Sequence, residues 1–201
     1  MTKPTLEVKS GFSRLRVDLT YDGSDFSGWA KQPGLRTVQE EFETALATLT
    51  RSEVFTIVAG RTDAGVHAKH QVLHVDLPEN IEVENLAFRL NQLLKKDVRV
   101  LAAIWAPANF HARFGPISRS YQYKIIDGGK VTAPLDRHDS VEWFRELDLD
   151  LMNQASNLLI GEHDFFAFCK HRPGTSTKFY NHFIFWQNAN VVLSHLSTDM
   201  C

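Results

Sequence analysis

Between Ser13 and Gly23 the chain alternates strictly, with Leu15, Val17, Leu19 and Tyr21 on one face and Arg14, Arg16, Asp18 and Thr20 on the other. A period of two marks a half-buried strand, closed here by an Asp22-Gly23 turn. The Gly- and Pro-punctuated "SDFSGWAKQPGLR" reads as a loop. Thr37 and Glu40 then stand in the pattern of a capping box and open a helix to about Leu49, with Phe42, Leu46 and Leu49 at helical spacing. "EVFTIVAG" predicts a second strand. "QVLHVDLP", with Leu73, Val75 and Leu77 on one face, predicts a third. "VENLAFRLNQLL" carries Leu86, Leu90, Leu93 and Leu94 at helical spacing, and "VRVLAAIWAP" predicts a fourth strand. The order strand, helix, strand, strand, helix, strand is that of a split βαβ unit, an antiparallel sheet with helices on one face.

From "SRSYQYKII" the pattern starts again: a strand, a polar connection around "APLDRHDS", then a helix near Asp150–Ile160 stopped by Gly161. The last stretch, "FYNHFIFWQNANVVLSHLSTDMC", holds an aromatic strand candidate and a second apolar run without any lysine or arginine. We therefore expect an α+β protein of two similar units, 1–107 and 108–201, the second of them incomplete.

Composition narrows the class. With 201 residues, 43% hydrophobic and 23% charged, the chain suits one large domain or two small ones. The net charge of −2 offers no strongly basic field, which weakens a nucleic-acid reading, although a local patch can be basic within a neutral whole. Cys169 and Cys201 form no CxxC pair and no disulfide framework. The N-terminus lacks the apolar core of a signal peptide, and no run reaches membrane-spanning length. The expectation is a soluble, cytoplasmic protein.

Chemistry concentrates in "AGRTDAGVHAKHQ", residues 59 to 71. His67, His70 and His74, with Asp63 and Asp76 near them, first suggest a metal site. On a strand, however, His70 and His74 stand roughly 13 Å apart, so strand-surface or turn roles account for the histidines better. Asp63 follows a hydrophobic strand in a turn that Gly60 and Gly65 flex, where its carboxylate can either project from the sheet's end or cap the turn's own backbone. Arg61 can pair with that carboxylate or bind a phosphate. A second candidate is "NFHARFGPISRSYQYKI", which interleaves Phe110, Phe114, Tyr121 and Tyr123 with His111, Arg113, Arg119 and Lys124. Aromatics for stacking beside cations for phosphates suit single-stranded RNA. The same pattern also fits tyrosines in a core and solvated cations.

Six stretches, "YDGSDFSGW", "TVQEEFETAL", "AGRTDAGVHAKHQVLHVD", "LNQLLKKDVRV", "NFHARFGPISRSYQYKI" and "LLIGEHDFFAFC", run in order over roughly residues 14 to 169. In them the chain resembles the tRNA pseudouridine synthases of the TruA type, and "GRTDAGVHA" is the most specific of the matches. The resemblance implies two ferredoxin-like (RRM-like) halves, their antiparallel sheets joined across a central basic cleft. It further implies a homodimer that isomerises uridine to pseudouridine in the tRNA anticodon stem-loop, with no metal and no cofactor. The catalytic aspartate falls on Asp63, the arginine before it on Arg61 and the tyrosine that contacts the target base on Tyr121, with Arg113 and Arg119 as further substrate-binding cations. The family's C-terminal half carries a Phe-x-Arg-Asn-Met-Val-Arg segment whose basic residue pairs with the aspartate. Nothing after Cys169 matches it. A catalytically impaired RNA-binding remnant of such an enzyme is therefore the alternative expectation.

Overall fold

The computed structural model describes residues 7–164, 179–187 and 190–196. The chain divides into two compact units, Met1–Gly115 and Pro116–Cys201.

The first unit runs β1 (Phe12–Tyr21), α1 (Val38–Thr50), β2 (Ile57–Val58), β3 (Ala68–Pro78), α2 (Leu86–Leu93) and β4 (Val98–Trp105). Its sheet order is β2-β3-β1-β4, and every neighbouring pair is antiparallel. Leu15, Val17 and Leu19 of β1 are fully buried, and Leu73, Val75 and Leu77 of β3 are at most 1% exposed. They pack with Phe42 and Leu46 of α1 and Leu86 and Leu90 of α2 into one core, so both helices cover the same sheet face. Each such side chain taken fully out of water contributes about 1.5–3 kcal/mol.

Four sequence expectations change here, each for a non-local reason. The capping box does not form: the Thr37 side chain makes no cap hydrogen bond, and its buried Oγ1 has no partner. The free N–H groups of the helix start are taken instead by loop carbonyls, Val38 by Gly28 and Gln39 by Trp29. Strand β2 keeps only two residues of "EVFTIVAG", because the Thr56 N–H donates to the buried Glu43 carboxylate and not to a neighbouring strand. Leu93 is exposed, while Leu86, Leu90 and Leu94 are buried.

The fourth change is Arg14. Its place on the polar side of β1 predicts exposure, yet it is 3% exposed. Segment 106–115 covers that side of the sheet. Arg14 forms a bidentate pair with Asp76 (2.8 and 2.9 Å) and donates through Nη1 to the carbonyls of Ala108 (3.0 Å) and Phe110 (2.8 Å). Beside it, His74 Nδ1 accepts the Ala112 N–H at 3.1 Å, and the His74 and His111 rings lie 4.8 Å apart. Burial and the neighbouring Arg14 cation lower the His74 pKa to about 4, with only Asp76 acting against them. Between pH 4 and 6.5 the unfolded chain therefore binds a proton here that the folded chain does not. Stability from this group is complete above pH 6.5 and falls as the pH drops toward 4. In urea denaturation, lowering the pH from 7 to 5 should cost the wild type about 2 kcal/mol more than it costs His74→Asn. Equal losses in the two proteins would show that His74 is not the titrating group.

The second unit runs β5 (Arg119–Ile126), β6 (Val141–Glu142), α3 (Leu149–Asn157), β7 (Gly161–Asp164), β8 (Phe179–Gln187) and β9 (Asn190–Leu196). Its sheet order is β6-β5-β9-β8-β7, antiparallel except for the β5–β6 pair. Asp148 caps α3 by accepting the Leu151 N–H at 2.9 Å. The helix ends at Asn157, and Gly161 opens β7 where the sequence suggests only a helix stop. The aromatic and apolar runs of the last stretch are β8 and β9. Phe165–Cys169 of the "LLIGEHDFFAFC" stretch and both cysteines lie outside the described residues.

Candidate active site

Residues 60–67 join β2 to β3 and carry Arg61 and Asp63 at the surface. The turn closes through its backbone, with the Val66 N–H donating to the Asp63 carbonyl at 3.3 Å. The Asp63 carboxylate is thus not spent on capping. Among the described residues it enters no side-chain hydrogen bond and no ion pair, and Arg61 does not pair with it.

A second loop, residues 22–36, holds this turn from behind. The Trp29 N–H donates to the Thr62 carbonyl at 2.9 Å, and the Gly65 N–H donates to the Phe26 carbonyl at 3.1 Å. Two glycines let the backbones meet. A Cβ on Gly23 would lie 2.1 Å from the Val66 carbonyl oxygen, and one on Gly28 would lie 2.8 Å from that of Thr62. Gly28 also sits at φ +100°, a conformation that L side chains rarely adopt. Phe26 is pinned in turn by Arg36, whose guanidinium lies 4.1 Å from the ring centroid and pairs with Glu41 (2.6 Å) and Asp97 (2.7 Å). Those two carboxylates raise the Arg36 pKa and hold the cation in place.

Beneath the turn, Tyr21 and Gln71 reach it from the two central strands. The Tyr21 and Thr62 hydroxyls are 2.8 Å apart, and Gln71 Nε2 donates to the Gly60 carbonyl at 2.7 Å and to the Tyr21 hydroxyl at 3.4 Å. At the far end, His67 Nδ1 accepts the Gly23 N–H at 3.2 Å and lies 3.0 Å from the Asp22 carboxylate. His70 on β3 lies 3.2 Å from Asp18, which also binds Arg16. The three histidines thus take part in separate local contacts. No group of three His, Cys, Asp or Glu side chains placed to hold a metal occurs among the described residues.

The other sequence candidates divide between the units. Arg113 is exposed in the first unit, on the segment that Arg14 and His74 hold, with its guanidinium 5.7 Å from the Phe114 ring centroid. Arg119 and Tyr121 lie on β5 of the second unit, and strand alternation puts them on one face with Tyr123. Tyr121 and Tyr123 are 36% and 58% exposed, which sets aside the reading of both as core residues. Partial burial raises the Tyr121 hydroxyl pKa, while Arg119 pulls it down. Sequence reasoning missed Tyr21, Gly23, Gly28 and Gln71 as supports of the turn. The paired glycines of "YDGSDFSGW" are the signal that pointed to them.

Comparison with known proteins bears on the region just described. A family model described as tRNA pseudouridine synthase matches residues 19–115, which include both loops and all of their supports. The tRNA pseudouridine synthase A of Streptomyces griseus is 52% identical over 176 residues, covering 85% of this chain and 62% of the relative. That of Frankia casuarinae is 49% identical over 171 residues, with the same two coverages. That of Mycobacterium leprae is 43% identical over 178 residues, covering 82% of this chain and 62% of the relative. The chain therefore spans about three-fifths of the length of these curated relatives. The chain is thus similar over most of its length to curated tRNA pseudouridine synthases, and the stretch that matches the family model takes in the turn and the loop that braces it.

Proposed function

We propose that this chain isomerises uridine to pseudouridine in the anticodon stem-loop of tRNA, with Asp63 as the catalytic carboxylate. The observation that carries the reading is the placement of Asp63. Its carboxylate is exposed and uncommitted among the described residues, on a turn whose backbone is fixed from two sides. A reacting group on a rigid scaffold is what positioning catalysis needs.

The isomerisation breaks N1–C1′, turns the uracil and joins C5 to C1′. The C5 proton leaves to solvent and N1 gains one. A carboxylate serves this either as a nucleophile at C1′ or as a base at C2′, by analogy with the carboxylates of glycosidases. The uridine must first leave its stack, at a cost of a few kcal/mol. Tyr121 stacking on the base would offset part of that cost, with Arg61 in the vacated space and Arg113 and Arg119 on phosphates. No metal or cofactor enters the scheme.

The accompanying architecture we propose is two ferredoxin-like halves, 1–107 and 108–201, with sheets joined across a central cleft, working as a cytoplasmic homodimer. The β2-β3-β1-β4 order of the first sheet supports the first half. Among the described residues no helix is long and apolar enough to cross a membrane.

A second reading, an RNA-binding protein with impaired catalysis, draws on an Asp63 without a basic partner among the described residues. Incubation with tRNA carrying tritium at uridine C5 separates the two. Tritium release with multiple turnovers is the expected result. Salt-sensitive tRNA binding without any release would favour the second reading.

A further inference from the structure

We propose that Tyr21 is a positioning residue for Asp63, acting through the Thr62 hydroxyl and fixed in turn by Gln71; this rests on the catalytic reading of Asp63 given above. The direction of the Gln71 hydrogen bonds follows from what its amide can donate. The Gln71 amide nitrogen has protons only to give, and it gives them to the Gly60 carbonyl at 2.7 Å and the Tyr21 oxygen at 3.4 Å. The Tyr21 and Thr62 hydroxyls, 2.8 Å apart, are joined by a hydrogen bond in which either oxygen can donate. Burial raises the Tyr21 pKa, so the phenol keeps its proton throughout the neutral range.

Residue 62 is thus held at two points, its hydroxyl by Tyr21 and its carbonyl by the Trp29 N–H at 2.9 Å. Residue 60 is held at a third. These contacts bracket Arg61 and fix the backbone that leads directly into Asp63. Tyr21 is 4% exposed and Gln71 8%, both behind the turn, so substrate cannot reach them. Their effect passes through the aim of the next carboxylate. Fixing a reacting group by a buried shell of hydrogen bonds acts on rate more than on binding.

The test compares Tyr21→Phe, Thr62→Val, the double variant and Thr62→Ser in the full chain. Tyr21→Phe keeps the ring that packs 6.0 Å from Trp29 and removes only the hydroxyl, with its contacts to Thr62 and Gln71. Expected for Tyr21→Phe is a fall in kcat of about tenfold, with the KM for tRNA changed less than twofold. Thr62→Val should come close to it, and the double variant should be no slower than Tyr21→Phe, since the short Tyr21–Thr62 bond is lost in all three. Thr62→Ser, which keeps the hydroxyl, should regain most of the rate lost in Thr62→Val. Amide hydrogen exchange gives a readout independent of turnover: the Trp29 and Gly65 amides should exchange about tenfold faster in Tyr21→Phe, with the Leu73 amide of β3 unchanged. A wild-type kcat in Tyr21→Phe, additive losses in the double variant, or unaltered exchange at Trp29 and Gly65 would each overturn the proposal. A wild type that releases no tritium would sink the catalytic reading instead. The exchange arm would then decide by itself whether Tyr21 orders the turn.

Discussion

Asp63→Asn should leave the protein folded and abolish tritium release from C5-labelled uridine in tRNA, by about 10³-fold or more. The two halves of this expectation rest on different observations. The fold should survive because the Asp63 side chain is exposed and bonds to no other described residue. Changes at such surface positions stay within about 0.5 kcal/mol. The turn is closed by the Asp63 backbone carbonyl, which asparagine also supplies. Activity should go because a neutral amide is neither a nucleophile at C1′ nor a base at C2′. Binding of tRNA should change little, since neither route asks Asp63 to hold a phosphate. Asp63→Glu is the sharper variant. It restores the charge but places the carboxylate about one methylene further out, and a displacement near 1 Å costs about 10²-fold. Asparagine turning over at the wild-type rate would remove Asp63 from the chemistry.

How far the sequence shows this arrangement depends on whether the deciding contact is local. Alternation over Leu15, Val17, Leu19 and Tyr21 identifies β1 because one face meets a core and the period follows from strand geometry alone. The same alternation misplaces Arg14, since the cover over the second face comes from segment 106–115, some ninety residues away in the chain. Thr37 and Glu40 are a sound capping box on local grounds. It is displaced because the carbonyls of Gly28 and Trp29 already satisfy Val38 and Gln39. Glu43 reads as one polar position on a helix, yet it is 6% exposed and binds both the backbone and the hydroxyl of Thr56.

The site divides along the same line. Asp63 and Arg61 are conspicuous in the sequence because reactive and flexible residues crowd into a few positions. Their supports are not, because Gly23, Gly28 and Tyr21 precede the turn by a helix and a strand, and only the fold brings them beneath it. The histidines show the opposite failure. Three within eight residues suggest a metal, yet His67 and His70 each meet a different aspartate and His74 turns to the covered side of the sheet. Spacing along a chain says little about convergence when the residues alternate faces.

Gly28→Ala tests that dependence of Asp63 on a distant loop, and its expected effect is large in two measurements at once. The φ of +100° costs an L residue roughly 1–2 kcal/mol. The new methyl meets the Thr62 carbonyl oxygen at 2.8 Å, with Asp63 C at 3.2 Å and Ala64 N at 3.3 Å. All three are backbone atoms, which cannot rotate aside as a side-chain end can, and such overpacking costs about 1–3 kcal/mol more. The core behind is close-packed around Trp29, which is 1% exposed, whereas the turn in front faces solvent. The turn should therefore yield, carrying Asp63 with it. The expected result is a kcat lower by about 10²-fold together with a loss of roughly 2–5 kcal/mol in stability. Gly34→Ala separates the two causes. Gly34 lies in the same loop at φ +73°, and a methyl there would meet nothing within 4 Å, so it carries the strain without the contact. It should lose about 1 kcal/mol and keep its rate. Equal rates in the two alanine variants would mean that the pressed backbone does not aim Asp63. A slow Gly28→Ala beside a normal Gly34→Ala would place the aim of the carboxylate in the loop that precedes it by more than thirty residues.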